Sequence, residues 1–257
     1  MKSVIERRMD IVSLVNAQNS ARVEDLATQF NVSAVTIRND LNFLEKNGYI
    51  LRSHGVAMPN KGLIAELSNS EKRQRNSGIK QKIGAAALKF IHDNDAIILD
   101  SGTTTREIAN HLKQSSLDNV LVMTNGLDIA TELAKAANTE VLMTGGRLRK
   151  NVLSFSGRQA ELSLQGHCFS KFFLGVDGFD LRAGITTHNE QEATLNRAMC
   201  DVSNHVVAVT DSSKFGKQSC HIIRRAFEID TLITDSGIPD EYVNALQDNG
   251  VEVIIVD

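Results

Sequence analysis

Several short runs in the second two-thirds of this chain combine hydroxyls, carboxylates, amides and glycines at single-loop spacing. They are Asp100-Ser101-Gly102-Thr103-Thr104-Thr105, Thr124-Asn125-Gly126, Thr144-Gly145-Gly146-Arg147, Gly175-Val176-Asp177-Gly178-Phe179-Asp180 and Asp211-Ser212-Ser213-Lys214. Another, Thr186-Thr187-His188-Asn189-Glu190-Gln191-Glu192, adds two more carboxylates. The first has the composition of a cup for a phosphate dianion, because its hydroxyls and backbone N–H groups would open a helix. The carboxylates, Asn125 and Lys214 could meet the hydroxyls and charge of a small polyol. One such loop ends a strand in any α/β protein. Five at equivalent strand ends point to a pocket for a small phosphorylated polyol.

A different chemistry is written near the start. Ser33 suits a helix N-cap, and Ala34–Asn47 follows as a helix stopped by Gly48. Ile37, Leu41 and Leu44 fall on one buried face, while Val35, Arg38, Asn39 and Asn42 face away, with Ser33 and Thr36 at the N-terminus. Arg can bridge two acceptors on guanine, and Asn can pair with adenine. The segment Tyr49–Met58 reads as a two-stranded wing that would carry Arg52 and His54 near its tip. Two preceding segments complete a helix-turn-helix. One is a helix with the stripe Ile5, Met9, Ile11, Val12, Leu14 and Val15; the other is the short helix Glu24–Phe30, closed by an Asn31-Val32 turn.

The elements that must position the polar loops alternate in type. Strands are expected at Ala96–Leu99, Val120–Met123, Val141–Met143, Phe172–Val176, His205–Val209, Thr231–Ile233 and Val251–Val256. Helical patterns such as Thr104–Lys113, Leu127–Ala137 and Asn189–Ser203 lie between them. This is the pattern of a largely parallel sheet covered on both faces, whose ligands gather at the C-terminal strand ends. The fold class is therefore α/β, with an N-terminal winged helix-turn-helix at 1–58, a linker at 59–75 and a larger domain at 76–257.

Composition narrows the functions available. The 257 residues carry a net charge of −3, which excludes a uniformly basic coat. Residues 1–58 hold a net +1 and the remainder −4, so any affinity for DNA must rest on local placement. Three scattered cysteines exclude a disulfide framework and suit a reducing cytoplasm. No continuous apolar stretch reads as an export signal or spanning helix. His188, Glu190 and Glu192 lack the spacing of a metal-ligand set on one helix face, and neither a metal nor a cofactor is expected.

The run Ser33-x-x-Thr36-Ile37-Arg38-Asn39-Asp40-Leu41, preceded by Arg8-x-x-x-Val12, resembles the N-terminal signature of the DeoR-type bacterial transcriptional regulators. The likeness continues through Ser101-Gly102-Thr103-Thr104, Asp177-Gly178-x-Asp180 and Asp211-x-Ser213-Lys214. It implies an effector domain whose fold is shared with ribose-5-phosphate isomerase, sugar-phosphate deaminases and CoA transferases. It also implies that the carboxylates near Glu190 and Glu192 face a sugar. Within the family, Thr187–Cys200, Asp100–Thr105 and Met123–Gly126 are most similar to repressors of N-acetylgalactosamine and galactosamine catabolism. One departure lies in the wing, where His54-Gly55-Val56 stands in place of the family's common Tyr-Gly-Gly. The expected function is a DNA-binding repressor of a sugar catabolic operon, controlled by a phosphorylated sugar. Two half-sites would require at least a homodimer.

The alternative is a sugar-phosphate isomerase or deaminase, with Asp177, Asp180, Glu190, Glu192 and Lys214 as its acid–base groups. Against it, Leu181-Arg182-Ala183-Gly184-Ile185 lacks the lysine and glycine run that the isomerase pattern carries there.

Overall fold

The computed structural model describes residues 4–46, 49–53, 55–59 and 68–257. The chain divides into two compact units, Met1–Glu66 and Leu67–Asp257. The expectations at Gly48 and His54 lie outside the described residues.

In the first unit, α1 (Val4–Gln18), α2 (Val23–Phe30) and α3 (Ala34–Lys46) enclose a core that includes Ile11, Val15, Leu26, Ile37, Leu41 and Leu44. The four–three spacing of the α3 residues puts all three on one face, and all are fully buried. Asn31 takes a left-handed φ of 51° and returns its N–H to the end of α2, so the chain can turn sharply into α3. Ser33 Oγ then accepts from Thr36 N at 3.1 Å, capping α3. Three strands form the wing rather than two. β1 (Ala21–Arg22) pairs with β3 (Val56–Pro59), which pairs in turn with β2 (Ile50–Ser53). Two residues are too few to show alternation, so β1 left no periodic trace in the sequence.

The second unit opens with α4 (Asn69–Gln74) and α5 (Ser77–Leu88). β4 (Ala96–Leu99), α6 (Thr103–Gln114), β5 (Val120–Thr124), α7 (Leu127–Leu133) and β6 (Thr139–Met143) follow. A hairpin of β7 (Arg147–Arg149) and β8 (Ser154–Ser156) leads to α8 (Arg158–Leu162) and β9 (Lys171–Gly175). Next come β10 (Gly178–Asp180), β11 (Gly184–Thr187), α9 (Glu190–Asp201), β12 (Val206–Val209) and β13 (His221–Arg224). The unit ends with β14 (Thr231–Asp235), α10 (Asp240–Asp248) and β15 (Glu252–Val256).

Seven strands form one parallel sheet in the order β15-β14-β12-β9-β4-β5-β6, and β10, β11 and β13 form a small antiparallel sheet. Alternate residues of the large sheet feed two cores. Ile97, Leu99, Val122 and Phe173 join Ile83 and Ile108 of α5 and α6 in one. Ile98, Phe172 and Leu174 join Met199 of α9 and Leu246 of α10 in the other. Burial on both faces explains why the strands read as continuous apolar runs. The chain builds outward from β4 to β6, then returns to the other side of β4 with β9. The sheet therefore has its switch point between β4 and β9, where a crevice opens at the carboxyl ends.

The linker expected over 59–75 does not extend that far. Ser68 caps α4, its Oγ accepting from Glu71 N while Glu71 Oε2 accepts from Ser68 N at 2.9 Å. Asn69 is buried, and its Nδ2 donates to Val152 O at 2.5 Å. This short charged helix is part of the second unit.

Candidate functional site

The crevice at the β4/β9 switch point is lined mainly by polar and charged residues. Asp100 ends β4, and its backbone N–H donates to Phe173 O of β9 at 3.1 Å. Its carboxylate accepts from Ser101 N at 2.7 Å and from Gly175 N at 3.2 Å. The carboxylate thus stitches together the two loops that leave the neighbouring strands. Gly175 is required here because a Cβ would stand 3.1 Å from Asp100 Oδ2 and 3.5 Å from Gly102 Cα. Gly102 takes extended geometry before α6, whose first amides have no acceptor within the helix and open into the crevice beside Thr103 and Thr104.

The crevice has about 810 Å3 of atom-free space, including its open mouth. Residues from four of the sequence runs line it: Asp100, Ser101, Gly102, Thr103 and Thr104 of the first, Gly175, Val176 and Asp177, Thr187 and Glu192, and Asp211, Ser213 and Lys214. Seven of the other expected effector contacts do not. Thr105 lies beneath the loop, donating to Asp100 O and Gly102 O, so its role is to fold the cup. Asn125 braces the hairpin through Phe155 O at 3.5 Å. Gly145 and Gly146 supply the positive φ of a turn, and a Cβ on Gly146 would meet Ser156 O at 2.7 Å. Arg147 is exposed on β7. This loop misses the crevice because it follows β6, the edge strand, two strands beyond β4. Gly178 is a packing position, where a Cβ would strike Lys217 O at 2.6 Å. Glu190 begins α9 on its exposed side, and Glu192 points inward.

The basic wall of the crevice comes largely from a cluster whose sequence reads as a solvated helix face with a capacity for phosphate contacts. Lys72, Arg75, Lys80 and Lys217 line it with Lys214, and Asp211 lies among them. The first three fall in the stretch taken for a linker and the helix after it. Lys72 Nζ donates to Asp177 Oδ1 at 2.7 Å. Lys80 Nζ donates to Lys72 O at 2.5 Å and Arg75 O at 2.8 Å, satisfying carbonyls at the end of α4. The Ser68–Glu71 capping box was the available signal for this helix.

Charge is divided within the crevice. Burial raises Asp100 to about 6, helped by the neighbouring Asp177 and opposed by the Ser101 and Gly175 amides and Lys72. Burial and the carboxylates of Asp100 and Asp177 push Glu192 up to about 8, against the pull of Arg149 and Lys72. Arg149 donates to Glu192 directly. Burial would raise Asp177 as well, but Lys72, Lys214 and His188 outweigh it and hold this carboxyl well below the usual range. Burial brings Lys80 down to about 8, with Asp211 resisting and Lys214, Lys72 and Arg75 adding to the fall. A dense cluster of cations beside the N-terminus of α6 suits a dianion. The carboxylates that share the lining suit a hydroxyl-rich body.

In the first unit, Ser33, Val35, Arg38, Asn39 and Asn42 are exposed and Thr36 is partly so. Val35 is 62% exposed. Arg52 donates to Asn42 and lies 3.8 Å from Glu45, so these two expected DNA contacts hold each other in the free protein. Asp40 faces inward, where Arg7 Nε and Arg8 Nε approach it at 2.7 and 2.8 Å.

Residues 7–62 match the DeoR-like helix-turn-helix domain, and residues 75–236 match the DeoR C terminal sensor domain. The chain belongs to the DeoR family. Curated relatives of this regulator extend along its whole length. A protein named for repressing the aga operon in Escherichia coli O157:H7 is 46% identical over 98% of this chain and 93% of its own. The transcriptional repressor GlcR of Bacillus subtilis is 32% identical over 98% of this chain and 96% of its own. Among solved structures, a sor operon regulator from Shigella flexneri aligns at 12% identity, with a TM-score of 0.44, over 80% of this chain and 97% of that one. These curated relatives are named as repressors, and the enzyme reading is set aside: this chain is a transcriptional regulator. No helix among the described residues is long and apolar enough to cross a membrane.

Proposed function

We propose that this DeoR-family regulator is a cytoplasmic repressor of a sugar catabolic operon whose hold on DNA is released by a phosphorylated sugar, with an amino sugar pathway as its field. The single observation that carries the reading is the crevice at the switch point. There five cations and a helix N-terminus share the lining with four carboxylates, of which Asp100 and Asp211 are buried. The name of the relative from E. coli O157:H7 supports the choice of pathway.

Residues 1–58 are the reading head. Arg38, Asn39 and Val35 are offered to base edges, and Ser33 and Thr36 to phosphate. Arg52 and Asn42 exchange their mutual hydrogen bond for DNA. Two heads on a homodimer would meet two half-sites. Residues 76–257, together with α4, are the sensor. A ligand phosphate competes with Asp177 for Lys72, and so draws on α4, the first helix of the sensor in chain order. Effector binding that differs by about 1–3 kcal/mol between two arrangements would change operator affinity roughly 5- to 150-fold.

The experiment is a gel-shift titration of the regulator on its own upstream region, with hexose and amino sugar phosphates added in turn. Release by one or more sugar phosphates, and not by the free sugars, supports the reading. A shift that no phosphorylated sugar alters would refute it.

A further inference from the structure

We propose that Asn196 reads the identity of the effector, by accepting a hydrogen bond from one hydroxyl or amine of the sugar. This inference rests on the sugar-phosphate reading above and assigns to it a residue that the sequence motifs did not include.

Asn196 lies on α9 four residues after Glu192, so the two side chains project from the same helix face one turn apart. Both line the crevice. Asn196 is 1% exposed, yet its Oδ1 is buried and finds no hydrogen-bond partner among the described residues. Leaving a buried amide oxygen unpaired is costly, and folded chains seldom do it without a reason. The neighbours sharpen the point. Glu192 is engaged by Arg149, and Asp177 by Lys72 and Thr187. Asp100 is engaged by two backbone amides. The carboxylates are therefore occupied in the ligand-free protein, whereas Asn196 holds an acceptor ready.

The surroundings say what would fill it. Ile223 lines the crevice too, and α9 packs along β13, which carries it. An apolar neighbour excludes water and makes a missing partner more costly. The hairpin strand β8 also packs against α9, and the hydroxyls of Ser154 and Ser156 on it are likewise buried without a partner among the described residues. An acceptor in such a place discriminates by penalty. A ligand with a donor at the matching carbon pairs with it, and one lacking the donor seals an unpaired oxygen inside the complex. The cationic wall supplies affinity for any phosphate monoester, so selection among sugars has to come from groups of this other kind.

The test is a set of coupled calorimetric titrations on the full chain. The sugar phosphate that binds best is compared with its deoxy analogues, each lacking one hydroxyl or amine. In the unaltered protein, one analogue should bind roughly 10- to 100-fold more weakly than the parent. In Asn196→Ala, and in Asn196→Leu where the volume is refilled, that ratio should fall to within about threefold, the loss now residing in the parent. Thermal unfolding without ligand provides the second readout. Removing an unpaired oxygen should leave the melting temperature of Asn196→Leu unchanged or raised. If the deoxy penalty persists undiminished in both variants, Asn196 does not touch the sugar and the assignment fails. A lowered melting temperature with selectivity intact would make Asn196 a structural residue and overturn the assignment too. Failure of every sugar phosphate to bind the unaltered protein would instead refute the functional reading, and this assignment with it.

Discussion

Lys72 and Asp177, 105 residues apart in the chain, meet at 2.7 Å in the lining of the sensor crevice. Lys72 also lowers the pKa values of Asp100, Glu192, Lys80 and Lys214, so its charge is felt on both walls. Replacing it by methionine keeps the aliphatic stem and removes the charge. In Lys72→Met, sugar-phosphate affinity should fall about tenfold or more, since a hydrogen bond to a charged group contributes roughly 1.5–3 kcal/mol. Calorimetry measures the affinity. A gel shift should show a repressor that stays on DNA at effector concentrations that release the unaltered protein.

The raised carboxyl of Glu192 makes stability depend on pH in a definite direction. Its value rises from 4.5 to about 8 on folding, so the folded state holds a proton that the unfolded chain has lost. That contribution is fully present below about 4.5 and is lost as the pH climbs through 8. Asp100, raised to about 6, acts in the same sense at lower pH. Lys80 acts oppositely, but only above about 8. The melting temperature of the ligand-free regulator should therefore fall between pH 6 and 8. In Glu192→Gln this slope should flatten. Scanning calorimetry in matched buffers checks both.

Asp40 tests the first unit. It is 1% exposed and pairs with two arginines of α1, fastening that helix to α3. Asp40→Ala would leave both guanidinium groups without their shared carboxylate, at a cost of about 3 kcal/mol. Urea unfolding followed by helix circular dichroism should show the first unit melting earlier. The sensor's response to ligand would persist.

Arg38 should behave differently. It is exposed on α3, so Arg38→Ala should leave the melting temperature unchanged while weakening operator binding by about 1–3 kcal/mol. A titration across several salt concentrations separates its role. Loss confined to operator DNA marks base reading, and equal loss on random DNA marks a phosphate contact.

Gly84 holds two helices of the sensor together. A Cβ there would stand 2.8 Å from the backbone of Glu107, where α5 crosses α6. Gly84→Ala should destabilise the sensor by about 1–3 kcal/mol despite its better helix propensity. Thermal unfolding checks this.

What the sequence disclosed depended on periodicity. All seven strands of the parallel sheet were legible because each is an apolar run bounded by polar loops. Asp100–Thr104 and Asp177 were legible because they follow such runs. Gly145–Arg147 carried the same local signature but belongs to an edge strand, and strand order is set by tertiary packing that no window of sequence contains. The run around Lys72 and Arg75 resembled a solvated linker because charge density, rather than apolar spacing, dominates it. Its capping box was visible and was the better guide. Lys80 and Asn196 were hidden for a simpler reason: a polar residue on a helix usually faces water, and only the fold reveals that these two do not.

The switch point has a kinetic corollary. The two strands that flank the crevice, β4 and β9, lie some seventy residues apart, and Asp211 arrives only after β12. Pairs of such high sequence separation form late, after their loop-closure cost has been met. During synthesis the head, whose elements are local, can fold well before the sensor is complete. A chain truncated anywhere before about residue 215 would thus carry a head without a complete crevice.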